Sequence, residues 1–132
     1  MARALGPFDV QLTPGTEDLP ADALLGRLLI AKQFHGDLEG TSQGQMLTAA
    51  TGIPDSAGYV ALERVSGTLH GRGGSFTLQH SATMNRGAPQ LSITVVPDSG
   101  TDQLTGLEGA MNIAIDGGAH SYEFEYSLPE GT

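Results

Sequence analysis

Residues 57–87 constrain the fold more than any other stretch, because they contain two long runs in which apolar and polar residues alternate. In the second run one face carries Phe76, Leu78, His80, Ala82 and Met84. Strict alternation with a period of two is typical of a β-strand with one buried face. A glycine-rich break at Arg72, Gly73 and Gly74 separates the runs. We therefore predict a long antiparallel hairpin with its tip near Gly73.

The apolar face of this hairpin contains one carboxylate, Glu63, and one imidazole, His80. A turn centred on Arg72 and Gly73 makes them diagonal neighbours, about 7–8 Å apart at the backbone and within side-chain reach. A buried carboxylate–imidazole pair can act as a general acid or base on a small carbonyl, enol or epoxide substrate. Alternatively, the two groups satisfy each other's hydrogen bonds or line a binding pocket.

Six further strands are predicted around the hairpin. They cover residues 8–12, 24–34, 38–51, 91–95, 104–115 and 122–128, and Pro-, Gly- and Asp-rich turns separate them. Residues 16–23 are polar and predict a surface loop or at most one helical turn. The second strand is apolar on both faces, so either Lys32 and Phe34 point inward or Gln33 and His35 do.

These eight strands predict the fold class. We expect one all-β domain spanning residues 1–132, in the form of an eight-stranded antiparallel up-and-down β-barrel. Short turns favour this order, and closure removes exposed strand edges. The interior of such a barrel is filled by side chains or holds one small ligand. A two-sheet sandwich is the alternative.

Composition and charge limit the partners. The net charge is −9 and Lys32 is the only lysine, so binding to nucleic acid or to an anionic membrane is not expected. The chain has no cysteine, which excludes disulfides and thiolate zinc sites. It has neither a run of apolar residues that could span a bilayer nor the apolar core of a signal peptide. We expect a cytoplasmic protein without a cofactor.

Several other residues are candidates for contact with a small-molecule ligand. The set expected to line a pocket is Tyr59, Phe76, Met84, Tyr122 and Phe34. Tyr59, Tyr122 and Tyr126 either place hydroxyl groups at the mouth of the barrel or, as we expect, pack in the core with the hydroxyl reaching solvent. Lys32 is either a Schiff-base or cationic group or, as we expect, a surface lysine.

Two surface features bear on metal binding and on assembly. His35, Asp37 and Glu39 have the alternate spacing of a metal site, but a turn at Gly36 and Asp37 would break their alignment, so no metal is predicted. The outer face of the first hairpin strand carries Val60 and Leu62. Exposed apolar residues there predict a homo-oligomer.

Long segments of the chain resemble a small bacterial family of unknown function. They read KQFHGDLEGTSQGQMLTA at residues 32–49, GYVALERVSGTLHGR at 58–72 and SFTLQHSATMNRG at 75–87, and LSITVVPDSGTDQLTGLEG and HSYEFEY complete the match. The resemblance implies an eight-stranded barrel similar to plant allene oxide cyclase, a class whose members are commonly trimers or dimers. No catalytic motif of that cyclase matches these residues, so the resemblance assigns no catalytic role.

Three hypotheses of function follow. The barrel binds a small, partly apolar molecule in its interior; it is an isomerase or cyclase that uses Glu63 and His80; or it is a non-catalytic oligomeric scaffold. Small residues on the predicted inner face, such as Ala61, Gly67 and Ala82, leave room in the lumen. They favour a pocket.

Overall fold

The structure, a computed structural model, describes residues 1–15 and 24–129. Its strands are β1 (Ala2–Pro14), β2 (Leu25–Phe34), β3 (Leu38–Ala50), β4 (Ala57–Leu69), β5 (Arg72–Asn85), β6 (Ala88–Val95), β7 (Glu108–Asp116) and β8 (Ala119–Ser127). A 3-10 helix at Asp102–Leu104 lies where the seventh strand was expected to begin. The loop predicted at residues 16–23 lies outside the described residues. Nowhere in the described ranges is a helix long and apolar enough to cross a membrane.

The eight strands form a closed barrel. Each strand pairs antiparallel with the next, and β8 pairs with β1. The up-and-down barrel is confirmed, and the two-sheet sandwich is wrong. The pairing of β6 with β7 is the shortest, with the single registered pair Thr94–Ala110. Beside it, the connection from β6 to β7 hydrogen-bonds to β5, for example from the Thr101 amide to the Ser75 carbonyl at 2.9 Å.

The turn between β4 and β5 lies two residues earlier than expected. Leu69 pairs with Arg72, so the turn residues are His70 and Gly71, with φ values of 47° and 81°. Two positive φ values are typical of the primed two-residue turns whose twist matches that of the strands. A tip near Gly73 is therefore wrong.

This change of turn shifts the hairpin register without changing the inner face. Glu63 pairs with Leu78 rather than Ala82, and His80 pairs with Ala61 rather than Val65. Because the shift is an even number of residues, both side chains still point into the barrel. They also remain diagonal neighbours.

Gly44 allows β3 and β4 to approach closely beside Glu63. A Cβ atom at Gly44 would lie 2.2 Å from the Leu62 carbonyl oxygen and 2.6 Å from Cα of Glu63. Since Gly44 pairs directly with Glu63, only glycine leaves this approach open. Gly40, the other inward glycine of β3, has the same role, since a Cβ atom there would lie 2.3 Å from the Ser66 carbonyl oxygen.

The two ends of the barrel differ. At the end with the β4–β5 turn, which we call the closed end, the lumen is filled by buried side chains that include Phe34, Leu38, Leu69, Phe76 and Phe124. Leu104 and Leu107, from the β6–β7 connection, belong to the same cluster. At the opposite end, the open end, four inward positions are exposed: Leu12 by 47%, Met84 by 40%, Leu91 by 44% and Ile115 by 67%. Apolar side chains therefore line an accessible end of the lumen.

Candidate functional site

Four polar side chains meet inside the barrel, one from each of the strands β2 to β5. They are Lys32, Ser42, Glu63 and His80, which we call the Glu63 cluster. Lys32 pairs directly with Ser42 across β2 and β3. The four residues are exposed by 9%, 2%, 1% and 3% in that order. Buried polar groups of this kind require hydrogen-bond partners.

The carboxylate of Glu63 is the centre of the cluster and accepts three hydrogen bonds. The Lys32 Nζ donates to Oε1 at 2.9 Å, and the Ser42 hydroxyl donates to Oε2 at 2.7 Å. His80 Nε2 lies 2.7 Å from Oε1. The structure thus brings together the two residues that the sequence selected, and it adds two more.

These contacts keep Glu63 ionised. Burial raises its pKa, but the hydrogen bond from His80, the positive charge of Lys32 and the hydrogen bond from Ser42 together outweigh burial and lower the pKa from 4.5 to about 2. An ionised carboxylate has no proton to give, so His80 Nε2 must carry the hydrogen of their bond. Glu63 therefore orients His80, and the imidazole is the group that can exchange a proton.

Lys32 points inward, so the expectation of a surface lysine is wrong. Its side chain is 6% exposed, and Nζ lies 5.2 Å from the ring centroid of Phe8 and 5.8 Å from that of Phe34. The Lys32 side chain is thus held by the Glu63 carboxylate and by two aromatic rings. Its amino group is engaged in the Glu63 cluster rather than free to form a Schiff base.

Ser42 was missed by the sequence reasoning. The usable signal was its position on β3, where it shares the inward face with Gly40 and Gly44. A small polar residue between two inward glycines marks a place where the lumen is both narrow and polar.

Tyr59 and Met84, two of the predicted ligand contacts, lie at the open end. A cavity of about 450 Å³ is lined there by residues of β3 to β6, including both of these side chains together with Thr48, Ala82 and Leu91. Tyr59 pairs with Ala82, one inward position further toward the opening than the pair of Ala61 with His80. Burial and the negative charge of Glu63 raise the pKa of Tyr59, so its hydroxyl keeps its proton.

The other predicted contacts, Phe34, Phe76 and Tyr122, lie in the core of the closed end. The Tyr122 hydroxyl donates to the His35 carbonyl at 2.7 Å and accepts from the Leu38 amide at 2.8 Å. These two hydrogen bonds stabilise the β2–β3 turn.

Tyr126 is also buried at the closed end, where its hydroxyl contacts His70. Of the two alternatives for the tyrosines, Tyr122 and Tyr126 follow the expected one, since both pack in the core rather than line the open end.

His35, Asp37 and Glu39 do not converge. His35 Nε2 lies 3.6 Å from Asp9 Oδ2, and His35 Nδ1 lies 3.8 Å from Glu39 Oε2. Asp37 Oδ2, in contrast, lies 3.6 Å from His70 Nε2. Within residues 1–15 and 24–129, no group of three His, Asp or Glu side chains is placed to hold a metal ion.

A further concavity lies on the outside of the barrel rather than in its lumen. It has a volume of about 860 Å³ and is lined by residues of β2 to β5 that include Leu47, Val60 and Leu62. These three side chains are each about half exposed. The feature is an apolar outer face, separate from the opening of the lumen.

The fold and the site together define a small closed antiparallel barrel with a buried charged cluster and one accessible end. The chain matches the family described as "Protein of unknown function (DUF3224)" over residues 4–126, and it belongs to that family. It is similar to a DUF3224 protein of unknown function from Shewanella oneidensis MR-1, whose crystal structure shares 47% sequence identity. That match has a TM-score of 0.92 and covers 99% of each chain. No curated protein matches. The expected likeness to allene oxide cyclase stays a prediction.

Proposed function

We propose that the protein binds a small, partly apolar molecule in the open end of its barrel. The observation that supports this proposal is the exposed apolar lining of the open end, where Leu91 and Met84 lie at the opening and line a cavity together with Tyr59. Apolar walls with a few polar groups at the inner end are typical of small-molecule sites. The cavity of about 450 Å³ is within the range that such sites have.

A blocked lumen tests this proposal. The uncharged dye Nile red is titrated into the wild type and into Ala82→Phe, which fills the lumen beside Tyr59. Ser81→Phe is the matched control, because Ser81 is the residue of β5 just before Ala82, points outward and does not line this cavity. We expect saturable fluorescence enhancement in the wild type and the control, and at least tenfold weaker binding in Ala82→Phe. Absent binding in the wild type, or equal binding in a folded Ala82→Phe, contradicts the proposal.

Native mass spectrometry after mild purification gives a second test. A small molecule that co-purifies with the wild type and is lost from Ala82→Phe would identify the natural ligand class. The same molecule retained by both variants would place its binding elsewhere.

The alternative function is an isomerase or cyclase, and the hydrogen bond between Glu63 and His80 favours it. In this mechanism Glu63 stays ionised and holds the imidazole, while Nδ1 of His80 removes and returns a proton next to a carbonyl group. Proton exchange on 2-decanone in D₂O, followed by NMR, measures this activity without knowledge of the substrate. Exchange at the buffer rate with the wild type, or equal catalysed exchange with His80→Ala, contradicts the mechanism.

We further propose that the outer apolar face mediates homo-oligomerisation, as a scaffold function would require. Leu62 on β4 and Leu47 on β3 lie on this face and expose about half of their surface, and burying them against a second copy would be favourable. Size-exclusion chromatography with light scattering measures the mass of the wild type and of Leu62→Glu. We expect an oligomer that dissociates in the variant. A monomeric wild type contradicts this proposal.

A further inference from the structure

We infer that the bound molecule is uncharged and enters the open end with its polar group first, so that a hydrogen-bond acceptor meets the hydroxyl groups of Thr48 and Tyr59. The carbonyl group of a ketone, an aldehyde or an ester is such an acceptor. This inference rests on the proposed binding function and names the chemical class of its ligand. It follows from the arrangement of the side chains around the open-end cavity of about 450 Å³.

Two layers of inward side chains surround this cavity. The described residues that line it fall into three rows across β3 to β6. Because successive side chains of a strand point to opposite faces, the middle row points outward and contributes backbone atoms. The side chains that face the cavity belong to a deep layer, Thr48, Tyr59, Ala82 and Leu91, and to a mouth layer, Ala50, Ala57, Met84 and Pro89.

The two layers differ in polarity. The mouth layer, next to the β3–β4 and β5–β6 connections, has no side-chain oxygen or nitrogen atom. The deep layer contains two hydroxyl groups, those of Thr48 and Tyr59, which are direct partners across β3 and β4. A ligand that matches this order has its polar group at the deep end and its apolar part toward the opening. The charged head of an amphiphile, which would stay at the opening, has no matching group in the mouth layer.

Both hydroxyl groups of the deep layer are available to a ligand. Neither makes a hydrogen bond to a residue in the described part of the chain. Burial and the negative charge of Glu63 raise the pKa of Tyr59, so its hydroxyl remains a donor at neutral pH. The Cβ atoms of directly opposed residues lie about 4.5–5.5 Å apart, and a carbonyl oxygen has two lone pairs with which it can accept from both groups.

The cavity offers no partner to a charged ligand. Among the described residues that line it, none is Asp, Glu, Lys, Arg or His. Glu63 lies two inward positions deeper on β4 than Tyr59, and its carboxylate already pairs with Lys32 at 2.9 Å. Burying a charge without a partner is strongly unfavourable. The cavity therefore discriminates against both carboxylates and ammonium ions.

Four probes with one phenyl group and chains of similar length test the ligand class. The ketone 4-phenylbutan-2-one, butylbenzene, 3-phenylpropanoate and 3-phenylpropylammonium are titrated at pH 7.5 into isotopically labelled protein, and dissociation constants are measured by NMR. The ketone and the propanoate have nearly the same shape, since a methyl group of one replaces an oxygen atom of the other. We expect the ketone to bind at least about tenfold more tightly than either ion.

Variants locate the polar contact. In Tyr59→Phe and in Thr48→Val the affinity for the ketone should fall about 2- to 12-fold, the range that corresponds to one hydrogen bond. The affinity for butylbenzene, which accepts no hydrogen bond, should change by less than about 1.5-fold. Tyr126→Phe, in the core of the closed end, and Thr41→Val, which points outward on β3, are the matched controls and should keep the wild-type affinities. The two variants test the two hydroxyl groups separately, so a folding defect in one leaves the other decisive.

The outcomes separate this inference from the proposal beneath it. If none of the probes binds saturably, the binding function itself is wrong. Binding of either ion as tight as that of the ketone leaves the binding function standing and overturns the uncharged class; loss of propanoate binding in Arg86→Ala would then place its carboxylate at the turn after β5. An unchanged affinity for the ketone in folded Tyr59→Phe and Thr48→Val overturns the polar contact.

Discussion

Replacing Glu63 by Gln should destabilise the barrel, because the Lys32 ammonium would remain buried without a counter-ion. The two charges are 2.9 Å apart, and their attraction is about 6 kcal/mol at an effective dielectric constant of about 20. Part of this is offset by the cost of removing both charges from water. Losing one partner of a buried ion pair typically lowers the free energy of unfolding by about 3–5 kcal/mol, which is the change we expect.

The double variant Lys32→Met/Glu63→Gln isolates the cause. It removes the unpaired charge and keeps a hydrogen-bonding amide next to Ser42 and His80, so it should recover at least about 2 kcal/mol of the loss. Urea unfolding followed by far-ultraviolet circular dichroism measures each variant, since the chain has no tryptophan. Glu125→Gln is the control; its partner Arg3 is 3.6 Å away at an exposed site, so the change should stay within about 0.5 kcal/mol. A Glu63→Gln protein as stable as the control, or a double variant no more stable than the single one, would refute the reasoning.

Three further predictions follow from the same geometry. The folded-state pKa of Glu63, about 2, is lower than its ordinary value of 4.5, so its contribution to stability is complete above about pH 4.5 and lost as the pH falls toward 2. The difference in unfolding free energy between wild type and Glu63→Gln should therefore shrink by roughly 3 kcal/mol between pH 6 and pH 2, and a constant difference would contradict this. Gly44→Ala should lower the free energy of unfolding by about 1–3 kcal/mol, because its Cβ meets backbone. In contrast, Gly52→Ala, with nothing within 4 Å, should change it by less than about 0.5 kcal/mol. Tyr122→Phe leaves the buried Leu38 amide without its acceptor and should lower the melting temperature by the equivalent of about 1–3 kcal/mol; an unchanged melting temperature argues against this role.

The barrel could be predicted from the sequence because the signals that specify it, the alternation along each strand and the turn residues, are local in the sequence. Alternation along β5 and β8 shows which residues face inward, and short turns fix the order of the strands. The turn at His70 and Gly71 was missed because glycines at Gly73 and Gly74 gave a stronger turn signal than a histidine with positive φ. In fact Gly74 is needed within β5, where a Cβ would lie 2.3 Å from the Thr101 carbonyl oxygen.

The Glu63 cluster could be predicted only in part. Glu63 and His80 lie in one hairpin, so their proximity follows from local pairing. The two side chains remain neighbours in the observed register because it differs from the predicted register by an even number of residues. Lys32 and Ser42 join them from β2 and β3. The sequence did not determine whether the Lys32 side chain points into or out of the barrel, because β2 is apolar on both faces. Only closure of the barrel determines that the face of β2 carrying Lys32 is the inner one.

The burial of Lys32 also has a practical consequence for measuring the dynamics of the protein. An endoprotease specific for lysine has a single cleavage point in this chain, the bond after Lys32 near the C-terminal end of β2. That bond can enter a protease active site only after β2 has separated from its neighbours. The rate of this one cut, followed by mass spectrometry in native buffer, therefore reports how often the strand detaches, without labels or added probes.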